Sequence, residues 1–157
     1  MIILSIDPGV ERLGIAILTK KDATIACKMS DTLTTPKTIA HSERIGFLYS
    51  SIKDICRTFR PDQIVLERLF FSKNVKTAIS VAQVQGVIHL IGYENGIPVS
   101  EVTPNMIKSA VTGYGSADKK AVKKMIDLQI KLPPRRRLDD EYDAIACGFA
   151  YLLEQRN

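Results

Sequence analysis

Apolar positions fall into short unbroken runs near the N-terminus and into helical stripes further on. Met1-Ile-Ile-Leu-Ser-Ile6 is the kind of run that makes a strand buried on both faces. It stops at Asp7, and Pro8-Gly9 turns the chain sharply. Ile15–Leu18 and Ala23–Met29 read as two further strands, and three strands joined by short turns predict an antiparallel meander. Thr34-Thr-Pro36 reads as a helix start, with a Thr cap and Pro in the first turn. Ile45, Leu48, Ile52, Ile55 and Phe59 follow at alternating steps of three and four, which is an amphipathic stripe. That helix stops before Pro61. Gln63-Ile-Val-Leu66 is the next buried strand, and it ends on Glu67.

Arg68 to Asn74 reads as a loop, and Val75 to Tyr93 as a long helix with no formally charged residue between Lys76 and Glu94. Ala78, Ile79, Ala82, Gly86 and His89 share one face, while Val81, Val84, Ile88 and Ile91 share another. A helix apolar on two faces must be covered twice. Ser80, Gln83, Gln85 and His89 make it too polar to span a membrane, so a core on one side and a second subunit on the other is expected. Asn95-Gly96 is a turn and Ile97–Val102 a strand. Thr103-Pro104 caps a helix that carries Lys108 and is broken by Gly113-Tyr-Gly115. Ser116 then caps a helix with Ala121, Val122, Met125 and Ile126 inward and Lys119, Lys120, Lys123 and Lys124 largely outward. A stiff basic loop, Leu132-Pro-Pro-Arg-Arg-Arg137, leads into a last helix from Asp139 to about Glu154. A meander followed by alternating strands and helices predicts an α/β domain with a mixed sheet. The length, 157 residues, fits one domain over 1–157.

Composition adds little to this outline. The net charge is +5 and the pI about 9.2, which favours polyanionic partners without singling one out. Cys27, Cys56 and Cys147 lack metal-ligand or C-x-x-C spacing and sit among apolar neighbours. They read as core residues of a protein kept in the reducing cytoplasm. Asp7 interrupts the N-terminal run too early for a signal-peptide core.

The chemistry lies in the acids. Asp7 and Glu67 each terminate an apolar strand, and sites in open α/β sheets gather at strand ends. Asp139-Asp140-Glu141-Tyr-Asp143 opens a helix whose continuation is apolar on every side, so some of these acids must point inward. Asp140 and Asp143 are three apart and share a face. Periodicity does not choose among the acids, because nearly every face below them is apolar. Taken singly, each has an ordinary structural explanation: a turn, a salt bridge, or the helix macrodipole. Together, three segments bring carboxylates to the ends of apolar elements, and clustered carboxylates repel unless a cation neutralises them. Oxygen donors without His or Cys suit Mg²⁺ or Mn²⁺. Two such ions can activate a water and stabilise the leaving oxygen of a phosphodiester.

Four stretches, in order, carry a family resemblance: Ile6-Asp-Pro-Gly9 with Gly14; Val65-Leu-Glu67 with Phe70 and Lys73-Asn74; Thr112-Gly-Tyr-Gly-Ser-Ala-Asp-Lys119; and Asp140-Glu-Tyr-Asp-Ala144. From residue 2 to about 151 the chain resembles RuvC, the bacterial Holliday junction resolvases of the RNase H-like superfamily. The resemblance implies an RNase H-like fold, with a mixed five-stranded sheet flanked by helices. It also implies a homodimer and Mg²⁺-dependent cutting of opposed strands at a four-way junction. Carried over by position, it makes Asp7, Glu67, Asp140 and Asp143 the catalytic, metal-binding carboxylates, with Asp139 and Glu141 as neighbours. It places Lys108 and Lys119 near the scissile phosphate, and Phe70 on a loop where it can stack on an unpaired base. Val75–Tyr93 matches the family's dimer helix, and a branch-migration motor of the RuvA–RuvB kind is implied as a partner.

Arg136, within the run just ahead of the catalytic acids, reads as a phosphate contact; the alternative is a solvated loop. Two features depart from the family. The turn after Gly9 reads Val-Glu-Arg-Leu, where a Thr often precedes the second Gly, and Tyr151 stands where a His is usual. Neither removes a carboxylate. A junction-binding module without catalysis would gain nothing from four acids. An actin-like ATP phosphotransferase shares the Asp-x-Gly hairpin but needs two such domains around its nucleotide.

Overall fold

Alternation along the first strand decides where everything else packs. In β1 (Ile2–Asp7), Ile3 belongs to one hydrophobic cluster, and Leu4 and Ile6 belong to another on the opposite side. β2 (Arg12–Lys21) pairs antiparallel with β1, and β3 (Thr24–Thr34) antiparallel with β2. β4 (Gln63–Glu67) lies parallel to β1, and β5 (Val99–Val102) parallel to β4. The sheet order is β3-β2-β1-β4-β5, a meander extended by two parallel strands. The structure, a computed structural model, describes residues 1–68 and 75–155, with side chains described from 77 onward in the second stretch.

Helices cover both faces. α1 (His41–Phe59) and α2 (Val75–Asn95) pack Leu48, Ile52, Val84, Ile88 and Ile91 against Leu4, Ile6, Ile64 and Leu66. On the other face lie α3 (Pro104–Thr112), α4 (Lys119–Gln129) and α5 (Asp139–Glu154). α5 is apolar all round because it is sandwiched between the sheet and α3 and α4, with Ala144 to Ala150 all buried. Its large buried side chains, Ile145, Phe149 and Leu152, contribute about 1.5–3 kcal/mol each, so this helix is firmly seated. Gly148 permits the close approach: a Cβ there would come within 2.8 Å of Ser5 and Leu18 side chains.

Four expectations are corrected. Thr34-Thr-Pro36 does not start a helix. Thr34 closes the β2–β3 ladder opposite Arg12, and Thr35 donates its N–H to Glu11 O and its hydroxyl to Val10 O. Sheet pairing takes these residues, and α1 begins at His41 with the Glu43 carboxylate accepting from the Ala40 N–H. The third strand therefore runs past Met29 to Thr34, with a bulge opposite Ile17/Leu18. The cap of α4 is Asp118, which accepts from the Ala121 N–H at 2.7 Å, not Ser116. On α2, Ala78 turns into the core, while Ile79, Leu90 and Tyr93 lie exposed. Among the described residues, no helix is long and apolar enough to cross a membrane. Cys56 and Cys147 are buried and Cys27 partly so, all as free thiols.

Candidate active site

Strand arithmetic brings the first two acids together. β1 and β4 are parallel neighbours in the register Ile6↔Leu66, so Asp7 and Glu67 end side by side at the same edge. Ile6 and Leu66 face α1 and α2, and one step further along each strand the side chain turns to the α5 face. The third contribution comes from above. Gly14 lies opposite Asp7 in the β1–β2 ladder, and a Cβ on it would sit 1.9 Å from the Asp140 carbonyl oxygen. The first turn of α5 can rest there only because position 14 has no side chain. That turn carries Asp140 and Asp143 over the strand ends, with the positive end of the helix dipole beneath them.

The result is a cleft of about 420 Å³ lined by Asp7, Glu67, Asp140, Asp143, Lys108 and Lys119, among others. Asp7 is pushed up to about 7, first by burial and then by the charges of Asp143, Glu67 and Asp140, with Lys119 opposing. Glu67 is raised by burial and by Asp143, while Lys119 and Lys108 pull it down. The Lys119 ammonium donates to the Asp143 carboxylate at 2.6 Å, and this bond raises the lysine's pKa above its ordinary value. Arg12 Nε lies 3.3 Å from Asp140 Oδ2, an oxygen that is buried and has no hydrogen bond of good geometry.

These donors fit a hard divalent cation. They are all carboxylate oxygens, and burial together with the neighbouring acids raises Asp7, a shift that a bound cation would oppose. Among the described residues, no three acidic, His or Cys side chains already converge as a cage. Two of the acids are instead turned toward protein cations, Asp143 to Lys119 and Asp140 to Arg12. A bound cation would compete for the same oxygens.

The structure thus gathers six of the sequence-predicted residues, the four acids with Lys108 and Lys119, around one cleft. Phe70 lies outside the described residues. Arg136 is exposed in the loop ahead of α5 and does not line the cleft. Its neighbours are committed to the fold. Arg135 pairs with the buried Glu141 at 2.5 Å and donates to Ser30 O at 2.7 Å, and Arg137 donates to Pro133 O at 3.0 Å. Glu141, expected only as a neighbour of the site, is the anchor of this network and closes the helix start by accepting from the Leu138 N–H. Sequence reasoning missed the pairing of Arg12 with Asp140. Arg12 was legible as a departure from the usual turn, but its partner lies 128 positions away in the chain. Arg68 also lines the cleft and is paired with Glu101 at 3.0 Å.

Comparison with known proteins agrees with this geometry. The family model for crossover junction endodeoxyribonuclease RuvC matches residues 3–151. The crossover junction endodeoxyribonuclease RuvC of Carboxydothermus hydrogenoformans is 42% identical over 156 residues, covering 98% of this chain and 97% of that protein. The Dictyoglomus thermophilum protein of the same name is 38% identical over 155 residues, covering 99% and 98%. Among solved structures, Thermus thermophilus RuvC in complex with a Holliday junction substrate superposes with a TM-score of 0.91 at 26% identity, covering 98% of this chain and 93% of that one. The fowlpox virus Holliday junction resolvase shares the fold, with a TM-score of 0.64 at 20% identity, covering 99% and 100%. With the family model matched over residues 3–151 and relatives of 42% and 38% identity covered almost end to end, this chain belongs to the RuvC family of crossover junction endodeoxyribonucleases.

Proposed function

We propose that this protein resolves four-way DNA junctions by hydrolysing phosphodiesters in two opposed strands, in recombination and DNA repair, leaving 5′-phosphate and 3′-hydroxyl ends. The observation that carries the reading is the convergence of Asp7, Glu67, Asp140 and Asp143 with Lys108 and Lys119 on one open cleft. Asp7, Glu67, Asp140 and Asp143 would hold Mg²⁺, with Mn²⁺ as a substitute, as two ions per site. When bound, such ions supply a water activated near neutral pH and positive charge for the departing 3′ oxygen.

The chain's own groups do the rest. Lys119 and Lys108 stand on the α4 and α3 side of the cleft and attract the scissile phosphate. As the charge on that phosphate grows, their ammonium groups offset it. Lys119 must first leave Asp143, which frees that carboxylate. Arg136 contributes to the basic surface along which a junction arm lies, and Phe70 stacks on a base at the crossover. Two copies pair through the exposed face of α2, where Ile79, Leu90 and Tyr93 form an apolar stripe around Gly86. Such a dimer presents two clefts to a junction that is itself nearly two-fold. The free thiols fit a cytoplasmic protein, and a motor of the RuvA–RuvB kind would deliver the junction, a partner that the family resemblance implies.

The direct test uses Asp7→Asn with a synthetic four-way junction and Mg²⁺. Cutting is expected to fall by at least about 10³-fold, since one member of the catalytic set is lost. Binding of the junction is expected to persist, because neutralising an acid beside phosphates does not weaken a basic surface. Cutting at the wild-type rate would sink the assignment.

A further inference from the structure

A second cleft, of about 450 Å³, lies against the first and shares two of its walls, Val81 and Asp140. Its charged lining is differently weighted. Where the first cleft holds four acids, this one holds the guanidinium groups of Arg12 and Arg44. Its two acids are already paired, Glu11 with Lys37 at 3.0 Å and the shared Asp140 with Arg12 at 3.3 Å.

Arg44 is built into place. It sits in the first turns of α1, and its Nε donates to the Thr35 hydroxyl at 2.8 Å. Thr35 is only 1% exposed and passes the bond on to Val10 O in the turn after β1. A buried hydroxyl relayed to a backbone carbonyl fixes the guanidinium by one nitrogen. The two terminal nitrogens have no protein partner among the described residues, which leaves the fork that binds a phosphate bidentately. Arg12 stands at the wall between the clefts, its side chain 54% exposed and in contact with Asp140 through Nε.

We propose that Arg12 and Arg44 form a phosphate subsite that takes the backbone phosphate next to the one being cut, on the same DNA strand. The inference rests on the reading that DNA is the substrate. A strand whose scissile phosphate lies over the carboxylate cleft must leave that cleft past Asp140. Its next phosphate then meets the second cleft and needs a cation there. The two arginines provide it and set how far the strand slides, so the cut falls at one position.

The test separates the subsite from the reading beneath it. Full-length protein is titrated with a four-way junction in EDTA, by fluorescence anisotropy, over a range of salt. Arg44→Gln and Arg12→Gln are each expected to lower affinity several-fold and to flatten the plot of log K against log salt by about one unit of slope. Arg44→Lys keeps the charge and is expected to keep the wild-type slope. Replacing the single flanking phosphate by a methylphosphonate is expected to weaken wild-type binding several-fold and to leave binding by the double variant Arg12→Gln with Arg44→Gln unchanged. Equal weakening of both proteins by the methylphosphonate, or a wild-type slope for Arg44→Gln, would overturn the subsite. So would inorganic phosphate binding at Arg44 together with insensitivity to the methylphosphonate, which would mark a site for a free anion. A wild-type chain that binds no junction overturns the subsite and the proposed function together.

Discussion

Asp7 shows how much of the site is electrostatic tension. Its pKa, ordinarily 3.8, stands at about 7 because burial and three neighbouring acids all disfavour the charged form. The sign for stability follows from linkage. A raised folded-state value means the folded protein holds a proton that the unfolded chain releases near pH 4. The associated stability is present below about pH 4 and is lost as pH rises through about 7. Metal-free protein is therefore expected to melt at a lower temperature at pH 8 than at pH 6. Asp7→Asn should flatten that dependence and melt higher than wild type at pH 8, as differential scanning calorimetry would read. Glu67, raised for the same reasons, adds in the same direction. Divalent metal at pH 7 should displace the Asp7 proton, which calorimetric titration in buffers of differing ionisation enthalpy would detect as proton release. Lys119 is the cation at the other end of this balance. Lys119→Met is expected to lower cutting by about 10²–10³-fold, the cost of removing one group aimed at developing charge, with a much smaller effect on junction binding. An equal loss of binding and cutting would make it a binding residue only.

Two glycines govern how elements meet. Gly14 lets the start of α5 touch β2, and a Cβ there would collide with the Asp140 carbonyl. Gly14→Ala should push that turn away, costing about 1–3 kcal/mol. Because the displaced turn carries Asp140 and Asp143, cutting should fall further than stability does; a variant that is destabilised yet fully active would disprove this coupling. Gly86 on α2 is the opposite case, since a Cβ there meets nothing within 4 Å among the described residues. In an isolated protomer, Gly86→Ala should stabilise the helix by up to about 1 kcal/mol. Weaker self-association accompanied by a higher melting temperature would place Gly86 against a second copy.

At the scale of the whole molecule, the sheet turns a linear order into an asymmetric object. The end where β1 and β4 terminate carries the acids, α4 carries a row of exposed lysines alongside, and α2 presents its apolar stripe elsewhere. A charge of +5 spread around an acidic cleft draws in DNA while leaving the cleft itself short of cations. If the stripe is the dimer face, Ile79→Glu with Leu90→Glu should yield protomers by light scattering. These should nick one strand of a junction and seldom cut the opposed pair. Paired cutting by a protein shown to be monomeric would remove the dimer from the mechanism.

Much of this was readable in one dimension because β and α periods are local. The apolar runs located β1, β2 and β4, the three-and-four stripe located α1, and the uniformly apolar stretch after Asp143 marked α5 as the helix with protein on all sides. The acids at the ends of those elements were equally plain. Where local signals competed with pairing, local reading failed: Thr34-Thr-Pro36 has helix-cap chemistry, but the β2 edge claimed it. Whether Asp140 or Asp139 enters the cleft depended on the rotation of α5, and Gly14 sets that rotation by allowing contact at one point. Proximity between distant segments has no period to read. The pairing of Arg12 with Asp140, the capture of Arg135 by Glu141, and the relay from Arg44 through Thr35 to Val10 therefore came from the tertiary structure alone. The chain by itself determined which groups carry the chemistry, and only folding decided which of them face one another.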